Sequence, residues 1–251
     1  IPRSGYISTA AAGGVARTAG NFIWAENAPG ILMLDFDPAK DGRHDGWKGE
    51  HFLEVLHSVA PELADAEVWL TPSASSRVWR RGKPIGNGWR GYVVADSAEA
   101  IPLYGAALIA RLVAAGHAWI EISASGARLL RTIIDGAVWQ SNRLDFVGAP
   151  VIEKGELSVE PGIALPVGEA GKHFHITPQT VDMASDVVKR LMDEAKEAAE
   201  AAGTAWEDAR VTAAVAGGMR EDEARKMYGR ARQMGILDGD FLLYDRDGRR
   251  V

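Results

Sequence analysis

The stretch Gly30-Ile-Leu-Met-Leu-Asp-Phe-Asp37-Pro38 constrains the fold more than any other part of the chain. A short apolar run bounded by Gly and Pro reads as a buried strand, and Pro38, which has no N–H to donate, stops its ladder. Any fold must therefore place this segment inside a sheet. Alternate residues of a strand point the same way, so Asp35 and Asp37 lie on one face at the strand's end. Such a pair is either a solvated strand end or the holder of a divalent cation such as Mg²⁺, which prefers carboxylate and phosphate oxygens.

Helical and strand periods alternate through the rest of the first two thirds. Phe52, Val55, Leu56 and Val59 recur at helical spacing within 49–59, and strands are expected at 68–70, 91–95, 119–123 and 143–147. Residues 71–88, rich in Ser, Gly and cations, read as a loop. Asp96-Ser97 is the expected N-cap of a helix over 98–115 that Gly116 ends. Period alone leaves 128–138 undecided between helix and strand. Residues 155–171 read as a linker or wrapping loop. Helices are expected at 178–202, with Thr177 as N-cap and Gly203 past the end, and then at 206–216 and 221–234. A hairpin turning at Asp247-Gly248 is expected over 241–251. The fold class is α+β, with no internal repeat.

Composition narrows the function. The chain has 251 residues, 47% of them hydrophobic and 25% charged, enough to bury a core without staples. It has no cysteine, which removes disulfides, thiolate metal sites and cysteine nucleophiles. A net charge of -6 argues against a protein that coats nucleic acid wholesale, but not against a local basic channel. The longest apolar stretch, around 101–115, is interrupted by Tyr104 and Arg111 and is too short for a membrane span. No signal peptide is legible, and a cytoplasmic location with no membrane partner is expected.

Four further groups of residues carry chemistry. The window 77–90 holds the cations Arg77, Arg80, Arg81, Lys83 and Arg90 with no acid, and Trp79 and Trp89 are interleaved among them. Ser73, Ser75 and Ser76 precede it. Hydroxyls, loop amides and cations all donate to phosphate, although no Walker A pattern is present and a solvated loop has the same composition. Asp135 is flanked by Ile133, Ile134 and Val138, so it caps a turn, pairs with an arginine such as Arg131, or binds metal. His173 and His175 alternate as zinc ligands would, but lack a third ligand nearby.

The order of these groups, Asp35-x-Asp37, then 73–90, then Ile134-Asp135-x-x-Val138-Trp139-x-x-Asn142-Arg143, resembles the archaeo-eukaryotic primase (primase-polymerase) superfamily, and within it the primases of bacterial mobile elements and phages. The family's first motif, two acids separated by one residue, is matched by Asp35 and Asp37. Its third, a hydrophobic residue and Asp followed by an aromatic and an Arg, is matched by Asp135, Trp139 and Arg143. The second departs: where the family carries a His at a strand start that contacts nucleotide phosphates, this chain has Arg90. An arginine grips phosphate bidentately but does no acid–base work there.

The resemblance, which covers about residues 17–151, implies a mixed α/β primase-polymerase catalytic core with a small helical C-terminal domain. It implies that Asp35, Asp37 and Asp135 are catalytic and hold two Mg²⁺ or Mn²⁺ ions. Ser73, Ser75, Ser76, Lys83, Arg90 and Arg143 would bind the nucleoside triphosphate, and Trp79, Arg80, Arg81 and Trp89 a single-stranded DNA template. The expected activity is DNA primase or polymerase in the replication of a mobile element, plasmid or phage; the alternative is a catalytically weakened nucleotide- or single-stranded-DNA-binding module for replication initiation. The expected domains are a catalytic core at 1–165, a linker at 166–177 and a helical accessory domain at 178–251. The chain is expected to be a fragment of a longer protein, with a helicase module in the same or a neighbouring chain as a partner.

Overall fold

Alternation along the first apolar run sets the two faces of the main sheet. In a computed structural model that describes residues 20–143, 145, 152, 155–162, 164–177 and 182–233, with backbone alone at 7–8, 15–16, 182–184 and 233, the run forms β3 (Gly30–Phe36). Ahead of it, β1 (Ile7–Ser8) and β2 (Val15–Ala16) make a two-residue parallel pair. β3 pairs with β7 (Trp89–Ala95), β7 with β4 (Val68–Pro72), and β4 with β11 (Leu165–Val167), every pairing antiparallel. Leu32, Leu34, Phe36, Val68, Leu70 and Val93 face one way and are buried. Over them lies α1 (Gly49–Val59), whose Phe52 ring stacks on Phe36 at 5.2 Å. α2 (Pro61–Asp65) follows, tied by a bidentate Glu62–Arg111 pair to α3 (Ile101–Ala114). Met33, Asp35, Arg90, Tyr92 and Trp69 alternate onto the opposite face.

The start of α3 differs from the expected cap. The helix begins at Ile101 with Pro102 in its first turn, where a missing N–H costs nothing. Asp96 instead joins a clip: the Tyr104 hydroxyl donates to its Oδ1 at 2.7 Å and the His175 ring nitrogen meets its Oδ2 at 2.7 Å. Burial pulls the Asp96 carboxyl up, but the Tyr104 and His175 contacts outweigh it and hold the carboxyl below its ordinary 3.8. A depressed carboxylate stabilises the fold above its unfolded value and loses that contribution as pH falls through its folded one. Asp96→Asn should therefore lower the melting temperature at neutral pH, and the gap to wild type should shrink as pH falls below the ordinary carboxylate value. Because Asp96 is 40% exposed, solvent screening limits the effect to below about 1 kcal/mol. A melting-temperature gap that persists undiminished in acid would reject the clip.

Two stretches read as loops are structured. Within 71–88 the chain makes a short hairpin of β5 (Val78–Arg80) and β6 (Lys83–Pro84), turning through Arg81 and Gly82, both at positive φ, as a two-residue hairpin demands. β10 (Leu157–Val159) adds antiparallel to β5. Within 166–177, expected as a linker, β11 supplies the sheet's edge, Phe174 bridges Ala95, and Phe174 and Ile176 are fully buried.

The contacts gather the chain into two compact units, 1–118 with 132–185 and 119–131 with 186–251. The second unit contains the hairpin of β8 (Ala118–Ile122) and β9 (Arg128–Thr132), so the undecided stretch 128–138 is strand before a 3₁₀ turn, Gly136–Trp139. With it are α4 (Asp182–Glu194), α5 (Lys196–Ala216) and α6 (Glu221–Gln233). α5 runs on through Gly203, which does not end a helix as expected; the Gly126 turn lies against it there. Arg128 Nη1 donates to the Met192 carbonyl at 2.7 Å, and Trp206 meets Tyr228 edge-on at 6.0 Å. The expected hairpin at 241–251 lies outside the described residues, as does most of the expected strand at 143–147. Among the described residues no helix is long and apolar enough to cross a membrane.

Candidate functional site

Antiparallel register puts Asp35 of β3 directly opposite Arg90 of β7, and Arg90 opposite Thr71 of β4. Cross-strand partners share a face, so these side chains stand in a row on the side away from α1. Asp35 is only 8% exposed, whereas Asp37, two residues on and past the strand's end, is exposed. Arg90 Nε donates to Asp35 Oδ1 at 3.1 Å and Nη1 donates to Asp145 Oδ1 at 2.5 Å. Tyr92, on the same face, donates its hydroxyl to Asp145 Oδ2 at 2.6 Å. Asp145 and Tyr92 were not among the sequence candidates.

The third acid reaches this place through the backbone. β3 is an edge strand, and its outward carbonyls need partners. The Asp135 amide donates to the Asp35 carbonyl at 2.9 Å, and Trp139 Nε1 donates to the Met33 carbonyl at 2.8 Å. Asp135 also caps the 3₁₀ turn by accepting from the Ala137 amide at 2.9 Å, the capping role among its open readings. Arg131 is not its partner; that side chain pairs with Glu121 at 2.8 Å. Arg143 stands 4.0 Å from Asp135 Oδ2. The Trp139 ring lies on Gly105 of α3, where a Cβ would fall 2.1 Å from it, so only glycine admits the anchor.

Burial pushes the Asp35 carboxyl above its ordinary value, and the charges of Asp37 and Asp135 push the same way; Arg90 opposes them but does not prevail. The Arg90 guanidinium is in turn held above its ordinary value by Asp35 and Asp145 against the effect of its own burial. Among the described residues no group of three or more His, Asp or Glu side chains converges closely enough to hold a metal ion as arranged. The three acids nonetheless suit a hard cation such as Mg²⁺ or Mn²⁺ by donor chemistry, since every donor is oxygen.

The serine cluster adjoins the acids. Ser73 Oγ lies 2.8 Å from Ser76 Oγ and 3.2 Å from Ser75 Oγ, while the Ser73 amide and Ser76 hydroxyl both donate to the Gly88 carbonyl at 2.9 Å. Gly88 is pinched between this cluster and the strand end: a Cβ there would fall 2.8 Å from the Phe36 carbonyl oxygen and 2.9 Å from Asp37 Oδ1. In this arrangement the hydroxyls hold the loop. Lys83, Arg80 and Arg81 are exposed on the β5–β6 hairpin, and Arg81 pairs with Glu156 at 2.8 Å. Trp79, half-buried there, has no hydrogen-bond partner for its indole N–H among the described residues.

Trp89 does not join them. Next to Arg90 in sequence, it faces the other way by strand alternation and lines a cleft of about 460 Å³ with Leu53, His57, Leu70, Pro72 and Leu165. Comparison of the chain with protein-family models, with curated proteins and with solved structures finds no match.

Proposed function

We propose that the chain is a template-dependent nucleotidyltransferase, a DNA primase or polymerase of the primase-polymerase kind serving the replication of a mobile element, plasmid or phage. One observation carries the reading: the Asp135 amide is bonded to the Asp35 carbonyl, so the backbones of two acids a hundred positions apart are joined near a serine loop and an arginine. Asp35, Asp37 and Asp135 would hold two Mg²⁺ or Mn²⁺ ions, which when bound would neutralise the attacking and leaving oxygens of an in-line displacement at the α-phosphate. Arg90, Arg143 and Lys83 would grip the triphosphate, with Ser73, Ser75 and Ser76 turned toward it. Trp79 and the cations Arg80 and Arg81 of the exposed hairpin would take a single-stranded DNA template by stacking and charge, without reading its sequence. The helical domain would support primer initiation, with a helicase module as a partner.

The test is incorporation of labelled nucleotide on single-stranded DNA with Mn²⁺. Arg90→Ala should raise the KM for nucleotide by the loss of about 1.5–3 kcal/mol, the worth of a charge-assisted phosphate contact. An unchanged KM would remove Arg90 from nucleotide binding.

The second reading is a catalytically weakened nucleotide- or single-stranded-DNA-binding module for replication initiation. It is favoured by the guanidinium lying on Asp35, where a catalytic acid would face a cation. Nucleotide binding by calorimetry with no incorporation under any metal would select it.

A further inference from the structure

We propose that Arg90 is a built-in competitor for the cation at Asp35, and that Asp145, held by Tyr92, is the positioning residue that sets how strongly it competes. This rests on the catalytic-acid reading above and adds to it a regulation of the same site.

Arg90 and Asp35 are cross-strand partners, so the guanidinium is delivered to this carboxylate by the backbone and not by a flexible loop. The pair is 17% and 12% exposed, which leaves little water to screen it. A divalent ion brought to Asp35 would stand within a few ångströms of the guanidinium, and at such distances two positive charges in a poorly screened place repel each other. Cation and guanidinium therefore exclude each other at Asp35.

What decides between them is the second carboxylate. Asp145 takes Arg90 Nη1 at 2.5 Å, against 3.1 Å from Nε to Asp35, so the shorter contact is to Asp145. Asp145 is kept there by the Tyr92 hydroxyl on its other oxygen. Tyr92 lies two residues from Arg90 on the same strand face, so donor, carboxylate and guanidinium form one unit. Weakening Asp145 shifts the guanidinium toward Asp35. A polyphosphate that draws the guanidinium away does the reverse, and linkage then requires the polyphosphate and the cation to favour each other's binding. The site thus stays closed to a lone metal ion and opens when the triphosphate arrives.

The experiment measures Mn²⁺ affinity on the full chain by the electron paramagnetic resonance of free Mn²⁺, with nucleotide left out because phosphate binds Mn²⁺ itself. Arg90→Gln, which keeps amide donors for the buried carboxylates, should bind Mn²⁺ about tenfold more tightly than wild type. Asp145→Asn should bind it about threefold more weakly, Tyr92→Phe should shift it in the same direction by less, and Asp145→Glu should restore it. The deciding measurement is Asp145→Asn in the Arg90→Gln background, where its effect should vanish. An Asp145→Asn effect of equal size in both backgrounds would mean that Asp145 acts on the cation directly, and would overturn the proposal, as would an Arg90→Gln chain, folded by circular dichroism, that binds no tighter than wild type. If wild type incorporates nucleotide while the cycle shows no coupling, this inference alone fails. If no variant binds Mn²⁺ at all, the catalytic-acid reading fails with it.

Discussion

Asp35→Asn is expected to reduce metal-dependent nucleotide incorporation to background while leaving the fold at least as stable as wild type. The two halves have one cause. Asp35 is buried, feels the charges of Asp37 and Asp135, and has its carboxyl held above the ordinary 3.8, chiefly by burial, even with Arg90 against it. A carboxyl raised in this way favours folding only below its unfolded value, and that contribution is lost as pH rises through the folded one, so at neutral pH the ionised side chain is a net strain. Asparagine keeps the shape and removes the charge, which relieves the strain, although Arg90 then loses its ion pair with Asp35. Loss of a charge aimed at the reacting centre costs on the order of 10²–10³ in rate, and more when it holds the metal. Activity within tenfold of wild type, or a melting temperature well below it at pH 7, would remove Asp35 from the catalytic set.

Trp139→Ala should destabilise the first unit by about 3–5 kcal/mol, the range for truncating a buried aromatic. Trp139 is 6% exposed, and its floor is the backbone of Gly105, which has no side chain to swing into the vacated space. Trp139→Phe separates two contributions. It keeps most of the packing but leaves the Met33 carbonyl without its donor, a loss of about 1–3 kcal/mol. Denaturant titrations followed by circular dichroism would read both. A Trp139→Ala cost below about 1 kcal/mol would show that the turn closes on its own. Since the same turn carries Asp135, both variants should lose more activity than stability accounts for.

Much of the sheet was legible because its signals are local. β3 and α1 fall where apolar period places them, whereas Asp37, expected to share a strand face with Asp35, lies one residue past the end of β3. Alternation would also have separated Trp89 from Arg90, but grouping the window 77–90 by its aromatics and cations hid that the two point to opposite faces. Phe174 and Ile176 likewise carried a period-two signal, masked by Gly and Pro nearby. The β5–β6 turn uses Arg81 at positive φ, where sequence rules expect Asn or Gly, so the hairpin read as loop. Asp145 left no trace because an ion pair across 55 residues has no local pattern. That Asp135 belonged with Asp35 was suggested by family resemblance, while the backbone bond that joins them is visible only in three dimensions.

The hairpin at 119–131 belongs to the unit of helices although the chain returns to the first unit on either side of it. Modularity at the level of the gene is limited by this. A truncation ahead of α4 would strip the helices and strand the hairpin, leaving Gly126 and Arg128 without Gly203 and the Met192 carbonyl. A clean excision has to remove two segments and splice Ala118 to Thr132. The helical unit is therefore not a cassette that recombination can swap at a single breakpoint, and chimaeras designed with one junction should misfold where those with two junctions survive.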